Sequence, residues 1–211
     1  MKAHAFSFFT LLSLGLASGV FAEVQIGTGR VAGDEATPKF EIPNVPSPKR
    51  GDLATKATFT LIDGERDPNG GQLAHLHDGG LPSDSDQPGA NFFFRAGSDG
   101  GRLLVDLRSA IEVWQINTYS WHRSTRAPQV YRVYVSDGKA AEFQAQPRRP
   151  VEPQQVGWKL LASIDTRPDG KANGGQYGVR IADSKGASLG RLRYFLFDIQ
   201  QTESEDAFGN T

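Results

Sequence analysis

Cysteine is absent from the 211-residue chain, and methionine occurs only once. The lack of cysteine excludes disulfides, a thiol nucleophile and a lipid-modified N-terminal cysteine, so stability has to come from packing or from a bound metal. Charge of one sign is also lacking, since 23 basic and 24 acidic residues leave a formal net charge of −1. No bulk electrostatic field therefore directs the chain to nucleic acid or to an anionic membrane.

Long apolar runs are missing except at the N-terminus. A short basic start leads into an apolar stretch over Ala5–Gly19, and Val20–Ala22 supplies a small-x-small cleavage pattern. This pattern predicts a secretory signal peptide over 1–22 rather than a membrane span, because the run is too short. We expect cleavage near Ala22, a secreted (extracellular or periplasmic) mature chain and no transmembrane segment in it.

Helical periodicity is missing as well, whereas glycine (24) and proline (12) are frequent. Short apolar runs separated by Gly, Pro, Asp and Asn indicate an all-β fold. A jelly-roll β-sandwich of about eight strands with one short helix, over 72–77, accounts for this series. The segments with strand character are 23–31 (weak), 56–62, 91–96, 102–107, 109–119, 129–136, 158–164, 176–181 and 191–199.

The length of the mature chain predicts one domain. Thr37–Gly51 carries four prolines, which remove sheet hydrogen-bond donors, so we expect this segment at an edge or wrapped over the surface. The predicted division is a signal peptide over 1–22, an extended Pro-rich lead-in over 23–54 and the β-sandwich over 55–211. Residues 140–156 contain three prolines and are expected to form an inserted loop.

The stretch Val113–Gly138 is read as two strands facing each other across a loop at 120–128. Trp121 offers an aromatic face, while His122, Arg123 and Arg126 offer hydrogen-bond donors, a combination that suits a polyhydroxylated or anionic ligand. The alternative is that Trp121 plugs the end of the core and that the arginines pair with nearby acids. Two further candidate ligand-binding residues come from the Gly-rich loop after 166, namely Asn173 and Tyr177.

An ordered set of motifs is similar to a known family. The motifs are Leu76–Gly79, Leu103–Leu107, Ile116–Trp121, Tyr131–Gly138 and Gly157–Ala162. Together they resemble the discoidin (coagulation-factor type C) domain of the galactose-binding-like superfamily, in a bacterial secreted variant, over about residues 55–200. The resemblance implies a jelly roll whose loops at one end bind glycans, lipid head groups or proteins, and it assigns ligand contacts to His122 and Arg123.

The chain departs from this family in two respects. It has no terminal disulfide, and it ends at Phe208–Thr211, apparently short of the last strand. Either the chain is truncated or Val24–Ile26 supplies that sheet edge.

A structural calcium ion is the one cofactor that the sequence suggests. Asp78, Asp84 and Asp86 concentrate oxygen ligands in nine residues, and the resemblance points to Asp78 in particular. The alternative is that Asp78 caps a turn and the other two carboxylates are solvated. His75 and His77 are not expected to hold a transition metal, because they would diverge and lack further ligands.

No catalytic motif stands out, since the chain has neither a G-x-S-x-G elbow nor a cysteine nucleophile. We therefore expect a non-catalytic secreted module that recognises carbohydrate, with a glycan or another cell-surface ligand as its partner. An adhesive or protein-interaction module of the cell envelope is the alternative, and a hydrolase is less favoured.

Overall fold

The computed structural model describes residues 23–95, 97–170 and 173–202. Eight strands form two antiparallel sheets, which confirms the all-β sandwich. The predicted signal peptide and the C-terminal Phe208–Thr211 lie outside the described residues. The strands are β1 (Val24–Val31), β2 (Thr58–Asp63), β3 (Gly101–Val113), β4 (Gln115–His122), β5 (Val130–Ser136), β6 (Lys159–Asp165), β7 (Gly175–Asp183) and β8 (Gly190–Ile199).

Helical structure in the described residues consists of five single turns of 3-10 helix. The expected short helix is one of them, at Leu73–Leu76, and the others are Leu53–Lys56, Pro88–Ala90, Pro153–Val156 and Pro168–Gly170. None of these helices is long and apolar enough to cross a membrane.

The two sheets pack face to face around one main core. The larger sheet has the order β2-β3-β8-β5-β6, and the smaller one has the order β1-β7-β4. Alternation along β5 directs Val133 and Val135 into the core, where they meet Val179 and Ile181 of β7. On the other face of the larger sheet, Tyr134 packs with Trp158 and Leu196 in a second cluster.

Two predicted strands differ from the structure. The segment 109–119 is divided between sheets, because β3 continues to Val113 beyond an irregularity at which Arg108 has a positive φ of 68°, and β4 begins at Gln115. The segment 91–96 forms only an isolated bridge between Arg66 and Phe94. The three phenylalanines of this segment, Phe92, Phe93 and Phe94, are all buried. A strand with one face toward solvent would instead expose every second residue.

The predicted pair of strands at 113–136 also belongs to two different sheets. β4 is hydrogen-bonded to β7, and β5 is hydrogen-bonded to β6 and β8. The two strands therefore face each other across the sandwich, where Thr118 Oγ1 and Tyr131 Oη lie 2.8 Å apart.

The proline-rich segment lies across the outside of the smaller sheet, and we call residues 37–47 the strap. Phe40, Ile42 and Val45 of the strap form an apolar cluster with Trp121 of β4. The backbone can approach closely because Gly29 lacks a side chain, and a Cβ there would lie 2.2 Å from the Pro43 carbonyl oxygen.

The residues before the strap form β1, which pairs along its whole length with β7. The expectation that Val24–Ile26 supply a sheet edge agrees with β1, which lies at an edge of the smaller sheet. The start of β1 is held in place because the backbone N–H of Glu23 donates to Asp183 Oδ2 at 2.8 Å.

Candidate functional site at the loop rim

Three loops meet at one end of the sandwich, and we call this surface the rim. They are the acidic loop 81–89, the end of β4 with the loop that follows it at 123–128, and the described parts of the Gly-rich loop, 166–170 and 173–174. His122 pairs with Gly175 in the β4–β7 register, which places the last two loops side by side. The contact is so close that a Cβ on Gly174 would lie 2.1 Å from the Arg123 carbonyl oxygen.

Asp86 joins the acidic loop to the end of β4 and the loop that follows it. Its Oδ2 lies 3.1 Å from a terminal nitrogen of Arg123, and its Oδ1 lies 3.8 Å from Nε2 of His122. The Arg123 side chain is 67% exposed and that of Asp86 is 36% exposed, so both remain accessible to a ligand. Asp86, a candidate calcium ligand by sequence, thus belongs with the candidate ligand-binding residues.

His122 is the buried member of this group, at 3% exposure. Its Nδ1 accepts a hydrogen bond from the backbone N–H of Ser124 at 3.0 Å, so in the neutral ring the proton is on Nε2. Burial, together with the charge of Arg126, lowers the pKa of His122 below its usual value. The Nε2 atom has no hydrogen-bond partner among the residues that the structure describes.

Arg126, the second arginine of this loop, lies above the ring of Phe93, with its guanidinium carbon 4.9 Å from the ring centroid. Phe93 also meets His122 edge to face at 6.2 Å. Sequence analysis did not identify Phe93 as a residue that supports the rim, because Phe93 is one of three consecutive phenylalanines. Nothing local distinguishes the phenylalanine that supports a loop from its two neighbours in the main core.

Trp121 does not face solvent. It is 6% exposed, and its ring meets Phe40 of the strap edge to face at a centroid distance of 5.6 Å. The expectation that Trp121 offers an exposed aromatic face is wrong for this conformation, because the side chain points to the outside of the smaller sheet and the strap covers it.

The two candidates from the Gly-rich loop have different positions. Tyr177 is 1% exposed, and its hydroxyl donates to the Asn173 carbonyl oxygen at 2.8 Å, so it supports the loop from inside. Asn173 is exposed at the rim. Arg30 of β1, which sequence analysis did not single out, donates to the Gly174 carbonyl oxygen at 2.7 Å and helps to hold the same loop.

The proposed calcium ligands do not converge. Asp78 Oδ2 lies 3.0 Å from His75 Nδ1, Asp84 Oδ1 accepts from the backbone N–H of Asp86, and Asp86 faces Arg123. Among the described residues no three His, Cys, Asp or Glu side chains form a group that could hold a metal ion. A structural calcium ion at Asp78, Asp84 and Asp86 stays a prediction, which thermal unfolding with and without a chelator tests.

Comparisons with known proteins identify a likeness in structure only. No protein-family model matches the chain, and no curated protein matches it in sequence. The SusE-like protein BT2857 is 14% identical over 68% of this chain and 97% of its own, with a TM-score of 0.41. A chitosan-binding module of a chitosanase/glucanase from Paenibacillus sp. IK-5 is 16% identical over 70% of this chain and 95% of its own, with a TM-score of 0.36. At these values neither likeness bears on what this chain binds.

Proposed function

We propose that the chain is a non-catalytic, exported module that binds carbohydrate at the rim. The observation that supports this most directly is the group formed by Asp86 of the acidic loop with the neighbouring residues His122 and Arg123 at the end of β4. A carboxylate that accepts hydrogen bonds stands beside a guanidinium that donates them, and both side chains are exposed. The imidazole of His122 is buried next to Asp86 and supports this pair from inside. Sugar hydroxyls both donate and accept, so a neighbouring pair of hydroxyls can satisfy such a group.

The same residues argue against a hydrolase. Ser124 Oγ lies 3.1 Å from His122 Nδ1, and Asp86 lies on the opposite side of the ring, which superficially resembles a catalytic triad. However, the Nδ1 lone pair already accepts the backbone N–H of Ser124, so it is not available to activate the hydroxyl. The distance of 3.8 Å between His122 Nε2 and Asp86 also exceeds a hydrogen bond.

A glycan array followed by titration calorimetry tests the proposal. Arg123→Ala and Asp86→Asn should each weaken binding by about 10-fold or more, because hydrogen bonds to charged groups contribute about 1.5–3 kcal/mol. Ser124→Ala should bind normally if the hydroxyl has no chemical role. The matched control is Arg193→Ala, since Arg193 pairs with Asp106 on the larger sheet.

A wild-type protein that binds no glycan at millimolar concentration would refute the carbohydrate assignment. Equal affinity of Arg123→Ala and wild type would refute the rim as its location. In the adhesive alternative the partner is a protein. The glycan array would then give no signal, and the rim would have to bind to a protein-coated surface instead.

We also propose that export removes residues 1–22. Cleavage there converts the Glu23 N–H into an α-ammonium group 2.8 Å from Asp183 Oδ2, and a charged donor makes the stronger hydrogen bond. The carbonyl oxygen of Glu23 is held as well, because it accepts from the backbone N–H of Ser184 at 2.8 Å. N-terminal sequencing of the exported protein should begin at Glu23, and any other first residue would contradict the assignment.

A further inference from the structure

The strap covers only half of the outer face of the smaller sheet. The β1–β7–β4 register places Gly29, Gly178 and Tyr119 in one outward row, beneath the strap. The outward residues of the next two rows, further from the rim, have no apolar side chains of the strap above them, although Ala182 is buried and a Cβ on Gly27 would lie 3.6 Å from the Asn44 carbonyl oxygen. They are Gln25, Gly27, Arg180, Ala182, Gln115 and Asn117.

A groove lies where the strap ends and this open face begins. Its volume is about 620 Å³, and its lining comes from β1, β7 and the strap. Gly27 forms part of the groove floor, where the absence of a side chain leaves room for a ligand next to the backbone. The lining residues are Gln25, Gly27, Thr28, Asn44, Val45, Pro46 and Arg180.

Hydrogen bonds fix the polar groups of this face in advance. Arg180 Nε donates to Gln115 Oε1 at 2.9 Å, and Gln115 Nε2 donates to Asn117 Oδ1 at 2.8 Å. These bonds hold the guanidinium plane in one orientation, so less side-chain entropy is lost when a ligand binds.

Arg180 carries the only charge among the residues that line the groove. Its recorded partner is an uncharged amide, and no carboxylate forms an ion pair with it among the residues described. A guanidinium presents donors in a fork that matches the two oxygens of a carboxylate. The remaining lining offers amide and hydroxyl groups, which suit the hydroxyls of a sugar.

We propose that this groove is a second binding site, for a glycan that carries carboxylate groups, such as a chain of uronic acids. Arg180 binds the carboxylate, and the amides of Gln25 and Asn44 contact the neighbouring hydroxyls. The site is independent of the rim, because it lies on the face of the sheet beyond the strap and shares no residue with the rim.

Titration calorimetry of the exported chain with hexagalacturonate tests this site. The methyl ester of the same oligomer is the neutral control, and it should bind at least 10-fold more weakly. Arg180→Gln should lower the affinity for the acid at least 10-fold, while Arg180→Lys should restore part of it. Gly27→Val fills the groove without changing any charge and should weaken binding as much as Arg180→Gln, with folding checked by the melting temperature.

The rim variant Arg123→Ala should retain the part of acid binding that Arg180→Gln removes, which separates this site from the proposed function. Loss of acid binding in Arg123→Ala would place the ligand at the rim and overturn the proposal. No binding by the wild type, or unchanged binding by Arg180→Gln or Gly27→Val, would also overturn it. Equal affinity for a hexaglutamate peptide would show that the groove recognises charge alone and not a glycan.

Discussion

The rings of Phe40 and Trp121 meet edge to face, with centroids 5.6 Å apart and planes at 88°. This pair joins the strap to the outside of β4. The indole Nε1 is buried and has no hydrogen-bond partner among the described residues, so the contact of Trp121 with the strap is apolar. Trp121 therefore stabilises the fold, and it could reach a ligand only if the strap moved away.

Trp121→Ala should lower the free energy of unfolding by about 3–5 kcal/mol, the usual cost of removing a buried aromatic ring. The matched control is Trp114→Ala, since Trp114 is 59% exposed. Its effect should stay within about 0.5 kcal/mol. Urea denaturation of both variants measures the difference, and similar losses would show that the strap does not bury Trp121 in solution.

Gly29→Ala should displace the strap. The added Cβ would lie 2.2 Å from the Pro43 carbonyl oxygen and 2.5 Å from Ile42 Cγ2, and a backbone carbonyl cannot turn aside as a flexible side chain does. Overpacking of this kind costs about 1–3 kcal/mol. Gly33→Ala is the control, because a Cβ at Gly33 meets no atom within 4 Å. An unchanged denaturation midpoint for Gly29→Ala would contradict the close approach of the strap to β1.

Asp198→Asn should be severely destabilising. Asp198 Oδ2 lies 3.2 Å from a terminal nitrogen of Arg102, and Oδ1 accepts from Nε of Arg149 at 3.0 Å. Arg102 is 4% exposed, so removal of the carboxylate charge leaves a buried cation without its partner, which costs about 3–5 kcal/mol. Asp165→Asn breaks an ion pair with Arg167 whose carboxylate is 45% exposed, and we expect it to cost at most about 1 kcal/mol. Comparable losses from the two substitutions in urea would refute this difference.

Stability should decrease on mild acidification because of His122. Its pKa is lowered in the folded state by burial and by Arg126, against the opposing effect of Asp86. Below the usual value of 6.5 the unfolded chain therefore binds more protons than the folded chain does, and the free energy of unfolding falls. The stability that depends on neutral His122 is fully present above pH 6.5, and it is lost as the pH falls toward the lowered pKa of His122.

Urea denaturation at pH 7.5 and at pH 5.5 measures this dependence on His122. His122→Gln should reduce the difference between the two pH values. An identical difference for His122→Gln and wild type would mean that the folded state does not disfavour the imidazolium form.

Some features of the site depend on residues that are neighbours in the sequence, and others depend on contacts between segments that are far apart in it. The loop predicted at 120–128 could be identified from its own residues, although β4 continues to His122 and the loop begins only at Arg123. The proximity of Asp86 to Arg123 could not be predicted from the sequence. The chain has 36 residues between this acid and this base, and only the assembled sandwich brings the two together. The orientation of Trp121 depended equally on a distant segment, since the strap that covers it begins more than 70 residues earlier.

The sequence by itself determined that this is a cysteine-free, all-β chain with strands near 56–62, 129–136, 158–164 and 191–199. Alternation of apolar residues is a local property, and it survives whatever the strands pair with. Only the tertiary structure decided that β4 and β5 lie in different sheets, that residues 24–31 complete the smaller sheet and that the strap buries Trp121. Strand order and burial follow from contacts between distant segments, and no local pattern of residues specifies which of two outward faces another part of the chain will cover.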